Sequence, residues 1–446
     1  MLREIRGHTP DGRMRLYFVR DGATGPMSPG LVEILSTAGP ACGETPVPPG
    51  IRERRSDSLH VGEVVLTESR QSRPVADHPD LCPLCPVEDS REDGFHEAPW
   101  AGYRVAVFAN RFPALGTAPL QGLSQPGSLP EGVTRETAEG QAEVVLYTPF
   151  HEGDLGKLAP DEAADVVRVW AKRTAALYAK PETAYVYVFE NRGREVGATL
   201  AHPHGQIYAL PFVPPRLAEL ARLEHSRGHA GPGGERCVVC RYVSDEWRAG
   251  IRVIDRESTD ERARGGGNPR FSQELGESRG RDGTGFLALC PFAPRFPYEV
   301  QVLPERCVDR LDHLAEAEME ALGALLGRTV RRLDACFGEP MPYMMYVLQG
   351  GRDGSGNGSG NGNGAGEAEA ERIPLTGESG ARRDGGPKPA AYETPRHLRI
   401  VFAPLRRSRD RLKVIASSEV GADVYLTDVL PERAAAELRA SLDAGR

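Results

Sequence analysis

The segment LAHPHGQIYALP, residues 200–211, sets two histidines around one proline and follows them with glycine and glutamine. In an extended strand, residues i and i+2 share a face, so His202, His204 and Gln206 would line one surface. A neutral imidazole is a competent nucleophile toward phosphorus when its second ring nitrogen donates to a carbonyl or carboxylate that spreads the growing positive charge. A glutamine amide on the same face can donate to a phosphoryl oxygen. His204 is therefore the candidate nucleophile, with a phosphoramidate as its intermediate, and Gln206 its candidate phosphoryl partner. Histidines facing water would satisfy the same spacing, so the decision falls to the rest of the chain.

Eight cysteines include two C-x-x-C pairs, Cys82/Cys85 and Cys237/Cys240, while Cys42, Cys290, Cys307 and Cys336 stand alone. A reduced C-x-x-C reads as half a zinc site or as a redox pair. DLCPLCP opens no evident helix, which favours metal. A structural zinc takes four N or S ligands in a tetrahedron. His78, His96, His151, His202 and His204 are the histidines available to the first pair; His151 and His202 are the expected ligands. Pro203 stiffens the backbone between the two histidines, so that His202 turns to the metal and leaves His204 available.

The chain that must position these groups has 446 residues, enough for two ordinary domains, and a net charge of -8. An acidic balance argues against a general nucleic-acid binder. No apolar run approaches the roughly 18 residues of a membrane span. The N-terminal stretch MLREIRGHTPDGRMRLYF has no apolar core of a secretory signal, so the expected compartment is the cytoplasm, where thiols stay reduced.

Residues 1–50 read as an extension with one hairpin around MRLYFV and no assigned chemistry. Residues 350–390 are low-complexity Gly/Ser/Asn followed by charge, a composition unable to bury enough apolar surface to order itself. A similar polar insert is expected over 255–284 and a shorter one over 116–133. With the inserts set aside, the chain repeats. CPLC, YRVAVFANRFPAL, a helical pattern over 160–180, YVYVFENRG and HPHGQIYALP are matched in order by CVVC, FLALCPFAPRFPYEV, a helical pattern over about 311–337, YMMYVLQGG and PRHLRIVFAP.

Both helices are amphipathic, with Val166, Val169, Trp170, Thr174 and Leu177 on one face of the first. Met319, Leu322, Leu326, Val330, Leu333 and Phe337 share a face of the second. The Val-, Tyr- and Phe-rich segments suit strands. The expected fold is α+β: two duplicated units, each an antiparallel-dominated sheet with helices packed on one face. The expected units are 51–215, which carries the site, 216–430, and a C-terminal helix over 431–446.

C-x-x-C, a distant histidine, FENRG and H-P-H-G-Q together resemble the galactose-1-phosphate uridylyltransferases, a branch of the histidine-triad superfamily. The resemblance runs over roughly residues 52–430 between the inserts. It implies a double displacement: UMP passes from UDP-glucose to a histidine, glucose 1-phosphate leaves, and galactose 1-phosphate takes UMP to give UDP-galactose. It further implies His204 as nucleophile, Gln206 as phosphoryl holder, and zinc on Cys82, Cys85, His151 and His202. Asn191, Thr199, Arg70 and Arg73 match diphosphate contacts, and Asn110 a uridine-side contact, with Arg111 where an aspartate is common. Lys413 and Glu419 match hexose contacts made across a homodimer interface. A related nucleotidyl transfer on ADP-sugars or dinucleoside polyphosphates is the alternative, and an inactive zinc-stabilised nucleotide-binding module a more distant one. In the second repeat, Cys237 and Cys240 read as thiols in preference to a second metal site, which would need His397 and one further ligand. His397 falls opposite His204 there, and Arg399 opposite Gln206.

Overall fold

The computed structural model describes residues 2–9, 11–21, 52–59, 62–67, 82–86, 97–116, 129–226, 237–260, 285–352 and 397–442. Its strands are β1 (Leu2–His8), β2 (Met14–Arg20), β3 (Arg52–Ser56), β4 (Val64–Thr67), β5 (Val105–Ala109), β6 (Thr134–Thr137), β7 (Gln141–Leu146), β8 (Tyr185–Arg192), β9 (His204–Leu210), β10 (Val253–Ser258), β11 (Gly285–Leu289), β12 (Val300–Pro304), β13 (Tyr343–Leu348), β14 (Arg399–Pro404) and a short pair, β15 (Arg406–Ser408) and β16 (Arg411–Leu412). Eleven of them form one sheet in the order β1-β2-β5-β7-β9-β8-β13-β14-β12-β11-β10, and its described pairings are antiparallel. A small side sheet runs β4-β3-β6.

Read outward from the β8–β13 seam, the strand order is the same on both sides: β9, β7, β5 and β2 on one, β14, β12, β11 and β10 on the other. The expected duplication is thus a pseudo-two-fold within one continuous sheet. The outermost matching strands differ in origin, since β2 precedes its cysteine pair and β10 follows its own. The N-terminal hairpin expected around MRLYFV is therefore part of the main sheet.

The helices α1 (Pro160–Tyr178) and α4 (Glu316–Phe337) connect β7 to β8 and β12 to β13. Between them lie α2 (Pro215–Ser226) and α3 (Val238–Ala249), and α5 (Ser417–Ala422) and α6 (Pro431–Ala440) follow. Pro160 begins α1 where no backbone donor is needed, and Asp161 and Glu162 complement its positive end. Val166, Val169, Trp170, Thr174 and Leu177 are buried, as are Leu322, Leu326, Val330 and Leu333; Met319 and Phe337 pack at the margin. Gly323 permits the two helices to touch, because a Cβ there would lie 2.4 Å from the Ala164 backbone nitrogen.

The polar insert expected over 255–284 does not take in its first residues: Val253–Ser258 is β10, an edge strand of the main sheet. Residues 261–284, 353–396 and 117–128 lie outside the described residues, as does most of the extension beyond Asp21.

Candidate active site and metal centre

Strand periodicity divides β9 between two environments. Ile207 and Ala209 enter the core under the helices, while His204, Gln206 and Tyr208 are half-buried on the opposite face. Gln206 pairs with Val144 on one side and Phe189 on the other, and His204 with Leu146. The register carried on by two residues sets Asn191 beside His204. Around the end of these strands opens a cleft lined by Gly153, Asp154, Asn191, Gly193, Arg194 and His204 among others.

His202 departs from the simple strand expectation. It precedes β9 and lies in a bend, so it does not share the face of His204 and is only 1% exposed. His204 Nδ1 donates to the His202 carbonyl at 2.7 Å. A carbonyl can only accept, which puts the ring proton on Nδ1 and the lone pair on Nε2.

Cys82, Cys85, His151 and His202 bring one ligand atom each within 4.8 Å of one another. Cys85 Sγ lies 3.2 Å from His151 Nδ1 and 3.6 Å from His202 Nδ1. Tetrahedral zinc bonds of 2.3 Å to sulfur and about 2.05 Å to nitrogen put such atoms roughly 3.6 Å apart. His202 Nε2 donates to the Thr148 carbonyl at 2.9 Å, which fixes the ring and directs Nδ1 at the cysteines. Burial holds this imidazole neutral, lowering it to about 4, and burial beside Cys82 pushes the Cys85 thiol up to about 12. The four groups fit a metal ion of the zinc class.

Gly205 separates His204 from Gln206 for a steric reason. A Cβ there would stand 2.2 Å from the Tyr147 hydroxyl and 3.1 Å from the Phe189 carbonyl. Tyr147 belongs to a buried polar cluster in which Tyr343 donates to Glu190 Oε1 at 2.9 Å. Burial raises the Glu190 carboxyl to about 7. Arg192, two residues on in the same strand, pairs with Asp154 at 2.9 Å and Asp334 at 2.7 Å. The sequence reading missed Asp154, Glu190 and Arg194, because a polar residue at a strand end has no distinctive spacing.

The second cysteine pair also gathers donors. Cys237, Cys240 and His397 lie within 4.8 Å of one another. The thiol of Cys307 is within hydrogen-bonding reach of Cys237 and Cys240. This gathering is compatible with the second metal site that the sequence offered beside the free-thiol reading, and it corrects the repeat register. His397 stands two residues before β14, as His202 stands two before β9, so His397 matches His202. Arg399 then occupies the His204 position and Val401 that of Gln206. Arg399 is paired with Glu224 of α2. Cys307 follows β12 as His151 follows β7.

Asn110 follows β5; its backbone N–H donates to the Ala142 carbonyl and its Oδ1 accepts from the Phe112 backbone N–H, both at 2.9 Å. Arg111 is exposed over the Phe112 ring. Thr199 lies between two residues of the cleft lining, Ala198 and Leu200. Lys413 and Glu419 meet each other: Lys413 Nζ is 2.8 Å from Glu419 Oε1 and 2.5 Å from the Leu426 carbonyl, and this lysine holds the Glu419 carboxyl down to about 2. Neither lines the cleft beside His204. Arg70, Arg73, His78 and His96 lie outside the described residues.

Residues 53–214 match the family model for the N-terminal domain of galactose-1-phosphate uridyl transferase, a span holding the first metal group, His204 and Gln206. A galactose-1-phosphate uridylyltransferase of Thermotoga maritima is 29% identical over 393 residues, 87% of this chain and 98% of the relative. By these matches the chain is similar to the galactose-1-phosphate uridylyltransferases over most of its length. An ADP-glucose phosphorylase of Arabidopsis thaliana is 25% identical over 309 residues, 65% of this chain and 76% of that protein. The fold matches that of a solved uridylyltransferase with a TM-score of 0.61 at 24% identity, over 88% of this chain and 99% of the other.

Proposed function

We propose that this chain transfers UMP from UDP-glucose to galactose 1-phosphate through a uridylylated His204. The observation that carries the reading is the His204–His202 hydrogen bond, which presents Nε2 as the nucleophile and leaves Nδ1–H to be stabilised as the ring gains charge. His204 Nε2 attacks the α-phosphorus, the bond from that phosphorus to the bridging oxygen breaks, and glucose 1-phosphate leaves with the electron pair. A phosphate oxygen of galactose 1-phosphate then attacks the same phosphorus, and the N–P electron pair returns to Nε2. In this reading Gln206 and Asn191 donate to the phosphoryl oxygens; Arg70, Arg73 and Thr199 serve the diphosphate and Asn110 the uridine side.

The bound metal is proposed to be zinc on Cys82, Cys85, His151 and His202. It would supply a rigid mount, fixing the carbonyl of His202 that in turn orients His204. A second zinc on Cys237, Cys240, Cys307 and His397 would hold the other half of the sheet in the same way. In place of a nucleophile that half carries Arg399, paired with Glu224, which supports a structural role for it.

A homodimer is supported by the apolar side chains left exposed between 414 and 430: Val414, Val420, Val424, Leu426 and Leu430 are each more than half exposed. Lys413 and Glu419 brace the fold of that segment and would address the hexose of a second copy. None of the seven described cysteines forms a disulfide, in keeping with a cytoplasmic protein.

Isotope exchange tests the reaction. Labelled glucose 1-phosphate should enter UDP-glucose in the absence of any acceptor, and galactose 1-phosphate should release UDP-galactose. The exposed Arg111, where an aspartate is common, and the ADP-glucose phosphorylase relative favour one second reading, phosphorolysis of an ADP-sugar. Rapid turnover of ADP-glucose with orthophosphate, and none with galactose 1-phosphate, would establish it instead.

A further inference from the structure

The N-terminal hairpin carries a charged side chain with no place in the chemistry above. Arg13 is 1% exposed at the foot of β2, and its guanidinium is divided among three acceptors. Nη1 donates to the Ala109 carbonyl at 2.6 Å, Nη2 to Glu97 at 2.8 Å and Nε to Asp11 at 2.8 Å. Arg15 faces Phe108 in the β2–β5 ladder, so the same register carried on by two residues sets Arg13 opposite Asn110. Glu97 extends the connection: its amide donates to the Pro83 carbonyl, inside the Cys82–Cys85 turn, at 2.9 Å. Arg15, 2% exposed, adds a bond to the Glu97 carbonyl at 3.3 Å.

A planar guanidinium can hold several acceptors in fixed directions, which an ammonium cannot. A buried arginine is tolerated only when its donors are met, so the three acceptors and the cation enforce one another. We propose that Arg13 is a positioning residue for the Asn110 loop, setting that loop against the cysteine turn through Glu97. The role in donor binding rests on the reading of Asn110 as a nucleotide-side contact; the anchoring of the loop does not. The β1–β2 hairpin is then part of the working site; in the second half Arg252, just before β10, is paired with buried Glu246 and with Glu432.

The test pairs Arg13→Met with Glu97→Gln, so that no buried carboxylate is left without its cation, and compares the double variant with the wild-type chain in two measurements. Amide exchange over residues 109–116 should quicken about tenfold while α1 and α4 keep their protection. The KM for UDP-glucose should rise roughly tenfold with the KM for galactose 1-phosphate within twofold of its starting value. A folded variant with unchanged exchange at 109–116 would overturn the anchoring whatever the substrate. Faster exchange with an unchanged donor KM would overturn the role in nucleotide binding. A wild-type chain that does not turn over UDP-glucose would instead contradict the proposed function, with the exchange result still deciding the anchoring.

Discussion

His202 turns its ring toward Cys85, 3.6 Å from Nδ1 to Sγ, while its main-chain carbonyl accepts from His204 Nδ1 at 2.7 Å. One residue thus joins the metal group to the candidate nucleophile. Replacing His204 by Gly should reduce transfer at least roughly a thousandfold, because the remaining contacts bind substrate without offering a nucleophile. Metal content and melting temperature should stay near wild type, and added imidazole should restore turnover. Ordinary activity in His204→Gly, measured by release of glucose 1-phosphate, would remove the residue from this role.

Metal analysis should return two ions per chain. Cys82→Ser should lose one of them and lower the melting temperature, since the binding energy of a structural metal is folding energy. Cys237→Ser and Cys307→Ser should each lose the other. A Cys307→Ser chain that keeps both ions would show that Cys307 is not the fourth donor.

Gly205→Ala introduces a methyl group against the Tyr147 hydroxyl at 2.2 Å, a distance no Cβ adopts. Overpacking of this kind costs about 1–3 kcal/mol. Urea unfolding should register that loss, and Tyr147→Phe in the same chain should recover part of it. Unchanged stability of Gly205→Ala would mean that the glycine serves no steric need.

Glu190 links stability to pH. Its carboxyl stands at about 7 in the fold against 4.5 when exposed, with burial as the main cause. The folded chain therefore keeps a proton that the unfolded chain has lost across that window. Stability is full below the lower value, falls as pH rises through the window and stays reduced above it. A displacement of that size corresponds to roughly 3 kcal/mol. Glu190→Gln should gain about that much relative to wild type between pH 4 and pH 8, measured by urea unfolding at both. An equal difference at the two pH values would contradict this linkage.

The strand period made His204 and Gln206 legible from the sequence, and the helical stripe did the same for Val166, Trp170, Leu322 and Leu333. His202 was read as a metal ligand and does turn to the cysteines; the bend before β9, which the strand period does not show, takes it off the face of His204. Cys307 was hidden by its isolation, 67 residues beyond Cys240, since only the β12 turn brings it to the pair. Misplacing His397 opposite His204 had a related cause: a single histidine gives no register, and the metal-side position became evident only from the strand that follows it. Arg13 offered no signal, because a buried arginine and a solvated one have the same one-letter neighbours.

The proposed covalent intermediate is the claim most open to direct measurement. The wild-type chain is incubated with UDP-glucose in the absence of acceptor, and its intact mass and peptides are determined. The chemistry proposed here predicts one added uridylyl group on the peptide containing His204, discharged by galactose 1-phosphate. A chain that turns over UDP-glucose while no peptide bearing His204 gains mass would contradict it.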